Sequence, residues 1–172
     1  MKDLILKIEQ WAEDRNIIKG TKPIDQAMKL FSEAGELADN IGKGRDVKDD
    51  VGDCLVVLTI ITKQLGGTVS ELNFNSLNWA EADSKTLLLN LMNSMNEFTA
   101  YADNANFLHV GLLKRCINIL SGIARNNKST LEECVSIAYN DIKDRKGVVY
   151  NGLFIKESDP AYKEALIKLG KV

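Results

Sequence analysis

A chain of 172 residues is long enough for one sizeable domain and too short for two of ordinary size. Hydrophobic residues make up 45% and charged residues 27%, while a net charge of −2 offers no basic field for direct nucleic-acid binding or an anionic membrane. Two prolines and 6% aromatics argue against an all-β sandwich, which needs frequent turn residues, so the chain reads as all-α.

Leu4, Ile5, Ile8 and Trp11 recur at helical spacing and predict a first amphipathic helix ending near Asn16. The same segment carries charges throughout and is no signal peptide. Thr21-Lys22-Pro23 opens a second helix, which runs through Ala27, Leu30, Ala34, Leu37 and Ile41 to Gly42. Gly42 to Arg45 form a flexible, basic loop. A third helix holds Asp49 to Leu65 and is closed by Gly66-Gly67. Its apolar run around Cys54–Ile61 is far shorter than a membrane span, and a cytoplasmic protein is expected.

Thr68-Val69-Ser70-Glu71 has capping-box spacing and opens a short segment toward Trp79. Further helices are predicted at about Ser84–Ala102, Leu108–Asn126 and Ser129–Asp144, the last opening on a second box, Ser129-Thr130-Leu131-Glu132. Asn151-Gly152, between two apolar triplets, predicts a β-hairpin, because a type I′ turn needs positive φ at both central positions. Ser158-Asp159-Pro160 then caps a short terminal helix. Cys54, Cys116 and Cys134 form no CxxC pair and read as buried small hydrophobes rather than disulfides or zinc ligands. His109, the single histidine, has no acid or serine motif around it and reads as a surface or interface residue.

An internal echo runs through these helices. The segment around Glu33 resembles that around Glu97, 64 residues later, and the two capping boxes lie 61 residues apart. Either the chain holds two copies of one helical hairpin, or two amphipathic helices share their ordinary pattern. In the first case Leu88, Leu91, Met95, Phe98, Leu112, Cys116 and Ile119 face the first hairpin. The second copy then lacks the acids of the first, since Glu36 corresponds to Ala100 and the Asp50 and Asp53 windows hold none.

Those acids carry the chemistry. Glu33 and Glu36 on the second helix, and Asp50 and Asp53 on the third, are each spaced to share a helix face, about 60° apart. An antiparallel hairpin sets the pairs side by side, where like charges repel unless a cation neutralises them. Hard oxygen ligands in that number suit Mg²⁺ or Mn²⁺. Gly35 and Gly52 sit inside the pairs and cost a helix about 1 kcal/mol each, which close helix approach or ligand access explains.

Glu33-x-x-Glu36, a spacer, then Asp50-x-x-Asp53 followed by Cys-Leu-Val-Val-Leu resembles the signature of the all-α, MazG-like nucleotide pyrophosphohydrolases. Asp50 stands where that family usually has glutamate. The segments 138–147 and 151–157 are similar to the C-terminal part of small phage and bacterial members, hairpin included. Together the matches cover about residues 1–67 and 129–157. The resemblance implies one domain: an active hairpin over about 23–66, an insertion or degenerate repeat over about 68–128, and a C-terminal helix and hairpin over 129–157. The expected fold is a bundle of about six to seven helices with a small C-terminal hairpin.

The implied reaction is metal-dependent hydrolysis of a nucleoside triphosphate to monophosphate and pyrophosphate. Glu33, Glu36, Asp50 and Asp53 would hold Mg²⁺ or Mn²⁺, with Glu36 taking the proton of the attacking water. Lys143 and Arg145 on the last helix would clamp phosphates, and Asn140 would hydrogen-bond sugar or phosphate. Lys29 and the Lys43/Arg45 loop are weaker phosphate ligands, set against ordinary solvated charge. Trp11 flanks the base pocket or packs in the core. Members of the family act on dGTP or GTP, on dUTP, or on non-standard nucleotides, and short members are homo-oligomers, dimers or tetramers. The competing class is a non-catalytic helical oligomer that binds nucleotides or a regulatory partner.

Overall fold

The most uniformly apolar helix of the chain is also the most central. In the computed structural model, which describes residues 1–73, 81–104 and 107–171, α4 (Lys48–Gln64) buries twelve residues from Asp50 to Thr62, on every side of the helix. A helix that is apolar all round has to be enclosed. α3 (Pro23–Lys43) packs along it, and the turn between them closes on Gly44, whose φ of 65° suits glycine. α5 (Ser84–Asn104) lies against α3, and α6 (Val110–Asn126) lies against both α4 and α5. The two hairpins thus share one core.

Leu88, Leu91, Met95, Phe98, Cys116 and Ile119 are buried there, as the echo predicts. Leu112 is only half-buried; Leu113 takes the enclosed position beside it. The three cysteines are buried with free thiols. α7 (Leu131–Ile142) and α1 (Lys2–Asp14) cover the remaining faces of α4. Gly52 makes the α4–α7 approach possible. A Cβ there would fall on the Cys134 carbonyl oxygen and within 2.7 Å of the Ala138 Cβ. Gly35 is different, since a Cβ there meets nothing within 4 Å. Close approach therefore explains one glycine of the two.

Several element ends differ from expectation. The first helix stops at Asp14, and Asn16, at φ 58°, starts a short α2 (Ile17–Gly20). Thr130, not Ser129, caps α7: its Oγ1 accepts from Glu133 N–H at 3.1 Å and Glu133 Oε2 accepts from Thr130 N–H at 2.9 Å. Glu132 is one position too early for that exchange and pairs with the N-terminal amine instead. The Thr68 segment forms only a 3₁₀ turn, Val69–Glu71, and Trp79 lies outside the described residues. α7 ends at Ile142, so Lys143 and Arg145 lie in the turn after it rather than on the helix.

The hairpin is as predicted. β1 (Gly147–Tyr150) pairs antiparallel with β2 (Leu153–Lys156) across Asn151 and Gly152, at φ 51° and 77°. It docks on the far end of the sequence: Val149 N–H donates to the Arg15 carbonyl at 2.8 Å, and Asn16 Nδ2 donates to the Val149 carbonyl at 2.9 Å. The terminal helix, α8 (Tyr162–Lys168), begins later than its sequence signal, because Asp159 Oδ1 accepts from Ala161 N–H at 2.9 Å and shapes the preceding turn. Among the described residues no helix is long and apolar enough to cross a membrane.

Candidate active site

Gln26, Lys29 and Glu33 are spaced three and four residues apart and share one face of α3. Opposite them α4 presents Asp53, Val56, Val57 and Ile60. Trp11, Ile17, Ile142, Arg145, Val149 and Phe154 extend the wall of a cavity of about 310 Å³, and Thr21 and Asp25 line its end near the start of α3. One stretch of the wall is ionic, built from Lys29, Glu33, Asp53 and Arg145. Most of the rest is apolar.

The carboxylates lie close enough to perturb one another. Glu33 is 5% exposed and its charge is met by the Lys29 ammonium one turn earlier. Burial drives the Asp53 carboxyl up to about 7, helped by Glu33 and Asp49 and opposed by Lys29 and Arg145. Burial also raises Asp50, against the Asn40 Nδ2 that donates to its Oδ2 at 2.8 Å; Asp49, Glu36 and Glu33 add to the rise. Asp49 is raised by burial, then by Asp141, Glu33 and Glu36, with Arg145 pulling the other way. Glu36 itself is exposed at the rim of this group. The four predicted acids therefore form one electrostatic unit, joined by Asp49 and Asp141.

Such a unit is short of positive charge, and its donors are all hard oxygens of the kind Mg²⁺ and Mn²⁺ prefer. By donor chemistry the residues fit a divalent ion. By present geometry they do not converge: among the described residues no three carboxylate, imidazole or thiolate groups are arranged to hold one. The side chains have other partners, Glu33 in Lys29 and Asp50 in Asn40. Ligation would require both to turn.

The remaining predicted residues divide. Trp11 lines the cavity and packs against the core, while its Nε1 donates to the Ile142 carbonyl at 2.8 Å and the Arg15 guanidinium sits 4.9 Å above its ring. Arg145 reaches the cavity, with its Nε donating to the Asp141 carbonyl at 3.2 Å. Lys143 and Asn140 are exposed and hydrogen-bonded to each other at 2.9 Å, outside the cavity wall. Lys43 and Arg45 both turn to Asp39, at 2.6 and 3.6 Å. His109 caps α6, its Nδ1 accepting from Leu112 N–H at 3.2 Å, and its ring packs between Tyr101 and Phe107.

Sequence reasoning missed Asp49, Thr21, Asp25 and Gln26. Asp49 was legible as an acid in the first turn of a helix; the other three stand just before or within the first turns of α3, where capping obscures any further role.

Over 66 residues, 37% of this chain, the sequence is 46% identical to a protein of Haemophilus phage HP1 (strain HP1c1) described as an uncharacterized 18.2 kDa protein in the rep-hol intergenic region. The match spans 40% of that relative's length. No family model matches the chain, and no solved structure matches it.

Proposed function

We propose that the protein is a metal-dependent nucleoside triphosphate pyrophosphohydrolase of MazG-like type, working in the cytoplasm of a phage host. The observation that carries this reading is one cavity wall that sets the buried Glu33 and half-buried Asp53 carboxylates beside the cations Lys29 and Arg145. Cations alone would serve any phosphate; cations beside carboxylates on one wall suit a phosphate that arrives with a divalent ion. The apolar walls, Trp11 among them, accommodate a nucleobase.

Glu33, Glu36, Asp50 and Asp53 would hold Mg²⁺ or Mn²⁺. When bound, such an ion neutralises phosphate charge and acidifies a coordinated water. Lys29 and Arg145 bind and orient the phosphate chain. Glu36, exposed at the rim, accepts the proton as a water oxygen bonds to the α-phosphorus and the bond to the bridging oxygen of the β-phosphate breaks. Pyrophosphate leaves and a monophosphate remains. The degenerate-repeat reading extends the proposal: α5 and α6 replace, within one chain, a hairpin that short members recruit from a second subunit. Exposed apolar side chains at Ile24, Met28 and Leu153 leave room for homo-oligomerisation, to be measured by light scattering.

The deciding experiment is pyrophosphate release across canonical, deoxy and non-standard triphosphates, with and without Mg²⁺ or Mn²⁺. Release that needs the metal and disappears in Glu36→Gln supports the enzyme. Binding of nucleotides without release by the wild type would assign the non-catalytic class instead.

A further inference from the structure

One end of the cavity is chemically distinct and takes no part in phosphate chemistry. Toward the start of α3 the wall is formed by Thr21, Asp25 and Gln26. Gln26 is 9% exposed, and the orientation of its carboxamide follows from proton counting. The Thr21 hydroxyl has one proton, which points to the Ile17 carbonyl at 2.8 Å. Its oxygen is therefore an acceptor for the amides on either side, Gln26 Nε2 at 3.0 Å and Gln64 Nε2 at 2.9 Å. Gln64 is pinned further by donating to the Thr21 carbonyl at 3.0 Å. Turning the Gln26 amide over would press its oxygen against the Thr21 oxygen. The nitrogen is thus locked inward, and among the described residues no donor reaches Gln26 Oε1. The oxygen is left to the open cavity, where water or a ligand supplies its donor.

We infer that Gln26, oriented by Thr21 and Gln64, reads the nucleobase and selects bases that carry an exocyclic amino group; this rests on the nucleotide reading of the cavity. Gln26 Oε1 accepts from that amine. Asp25 adds a second acceptor at the same end, because only its Oδ2 is taken, by the Lys22 N–H at 2.8 Å. A base edge presenting carbonyl oxygens alone would face acceptor against acceptor. Gln26 and Glu33 lie seven residues apart on α3, about 10 Å along its axis, comparable to the length of a nucleoside. The acceptor end and the carboxylate end are therefore spaced for a base and its phosphates.

Calorimetry with α,β-methylene triphosphates, paired to differ by one amino group, tests the assignment: the dGTP analogue against dITP, and dCTP against dUTP. Inorganic pyrophosphate serves as the base-free probe. In the wild type the amino member of at least one pair should bind about tenfold more tightly, the effect of one hydrogen bond made where the other member sets acceptor against acceptor. Gln26→Leu should bring that pair within about twofold while pyrophosphate binding holds. Thr21→Val should lose the preference and Thr21→Ser, which keeps the hydroxyl, should retain it; this pair decides the matter if Gln26→Leu does not fold. Equal binding within both pairs, or a preference that survives Gln26→Leu, overturns the base assignment and leaves the nucleotide reading standing. Failure of every triphosphate and of pyrophosphate to bind overturns both.

Discussion

Alanine at Gly52 should destabilise the protein and alanine at Gly35 should stabilise it, although both glycines lie inside helices between paired acids. In each helix the change removes a glycine penalty of about 1 kcal/mol. At Gly35 nothing opposes that gain, because the added Cβ meets no atom within 4 Å. At Gly52 the Cβ lands on the backbone carbonyl of Cys134 and within 2.7 Å of Ala138 Cβ. A backbone oxygen cannot swing aside as a side chain can, so α4 and α7 must separate. Overpacking of that kind costs about 3 kcal/mol at the upper end of the usual range, leaving a net loss of about 2 kcal/mol. In a chain of 172 residues each kcal/mol moves Tm by about 2–4 °C. Gly35→Ala should then melt about 2–4 °C higher and Gly52→Ala about 4–8 °C lower, with urea midpoints shifting in the same directions. Equal melting of Gly52→Ala and wild type would show that the α4–α7 contact yields freely, and the reasoning from close approach would fail.

Two further predictions concern the ionic wall. The Asp53 carboxyl moves from an ordinary value of 3.8 to about 7 on folding, so between those values the folded protein keeps a proton that the unfolded chain has released. The contribution is fully present below pH about 4 and is lost as pH rises to about 7, in metal-free buffer. Asp53→Asn should flatten this decline in urea-unfolding stability; parallel pH profiles for the two proteins would contradict the half-buried position of Asp53 beside Glu33. Arg145→Ala should weaken triphosphate binding about tenfold or more, whereas Lys143→Ala, outside the cavity wall, should change it by no more than about twofold. The reverse order in KM would return phosphate binding to Lys143.

Periodicity made most of the architecture legible. Every long helix follows an apolar repeat, and the Asn151-Gly152 turn announces its own hairpin through positive φ. Helix ends were harder, because a cap is decided by which neighbour reaches the free N–H: Thr130 with Glu133 outcompetes Ser129 with Glu132 by one residue. At the site, spacing placed the carboxylates on facing helices, since that depends only on the helical period and an antiparallel turn. It could not separate Arg145 from Lys143. Both follow the end of α7, where no repeat fixes direction, and the choice is made by Arg145 bonding to the Asp141 carbonyl and Lys143 bonding to Asn140. Gln26 was hidden for another reason. Its importance lies in an amide orientation set by Thr21 and Gln64, one partner nearby in the chain and one 38 residues beyond it.

The bonds joining Trp11, Arg15 and Asn16 to the stretch from Ile142 to Val149 link positions 128 to 133 residues apart. They connect α1 and the residues just after it to the end of α7, the turn that follows and β1, and the cavity wall runs through both regions. During synthesis the α3–α6 part of the core can form on the ribosome while this wall is still missing, because local contacts close before distant ones. The nascent chain would thus gain its cavity only after the hairpin emerges. Until then the Glu33 and Asp53 carboxylates lack the wall that faces them, so an enclosed cavity arrives with the hairpin rather than with the core.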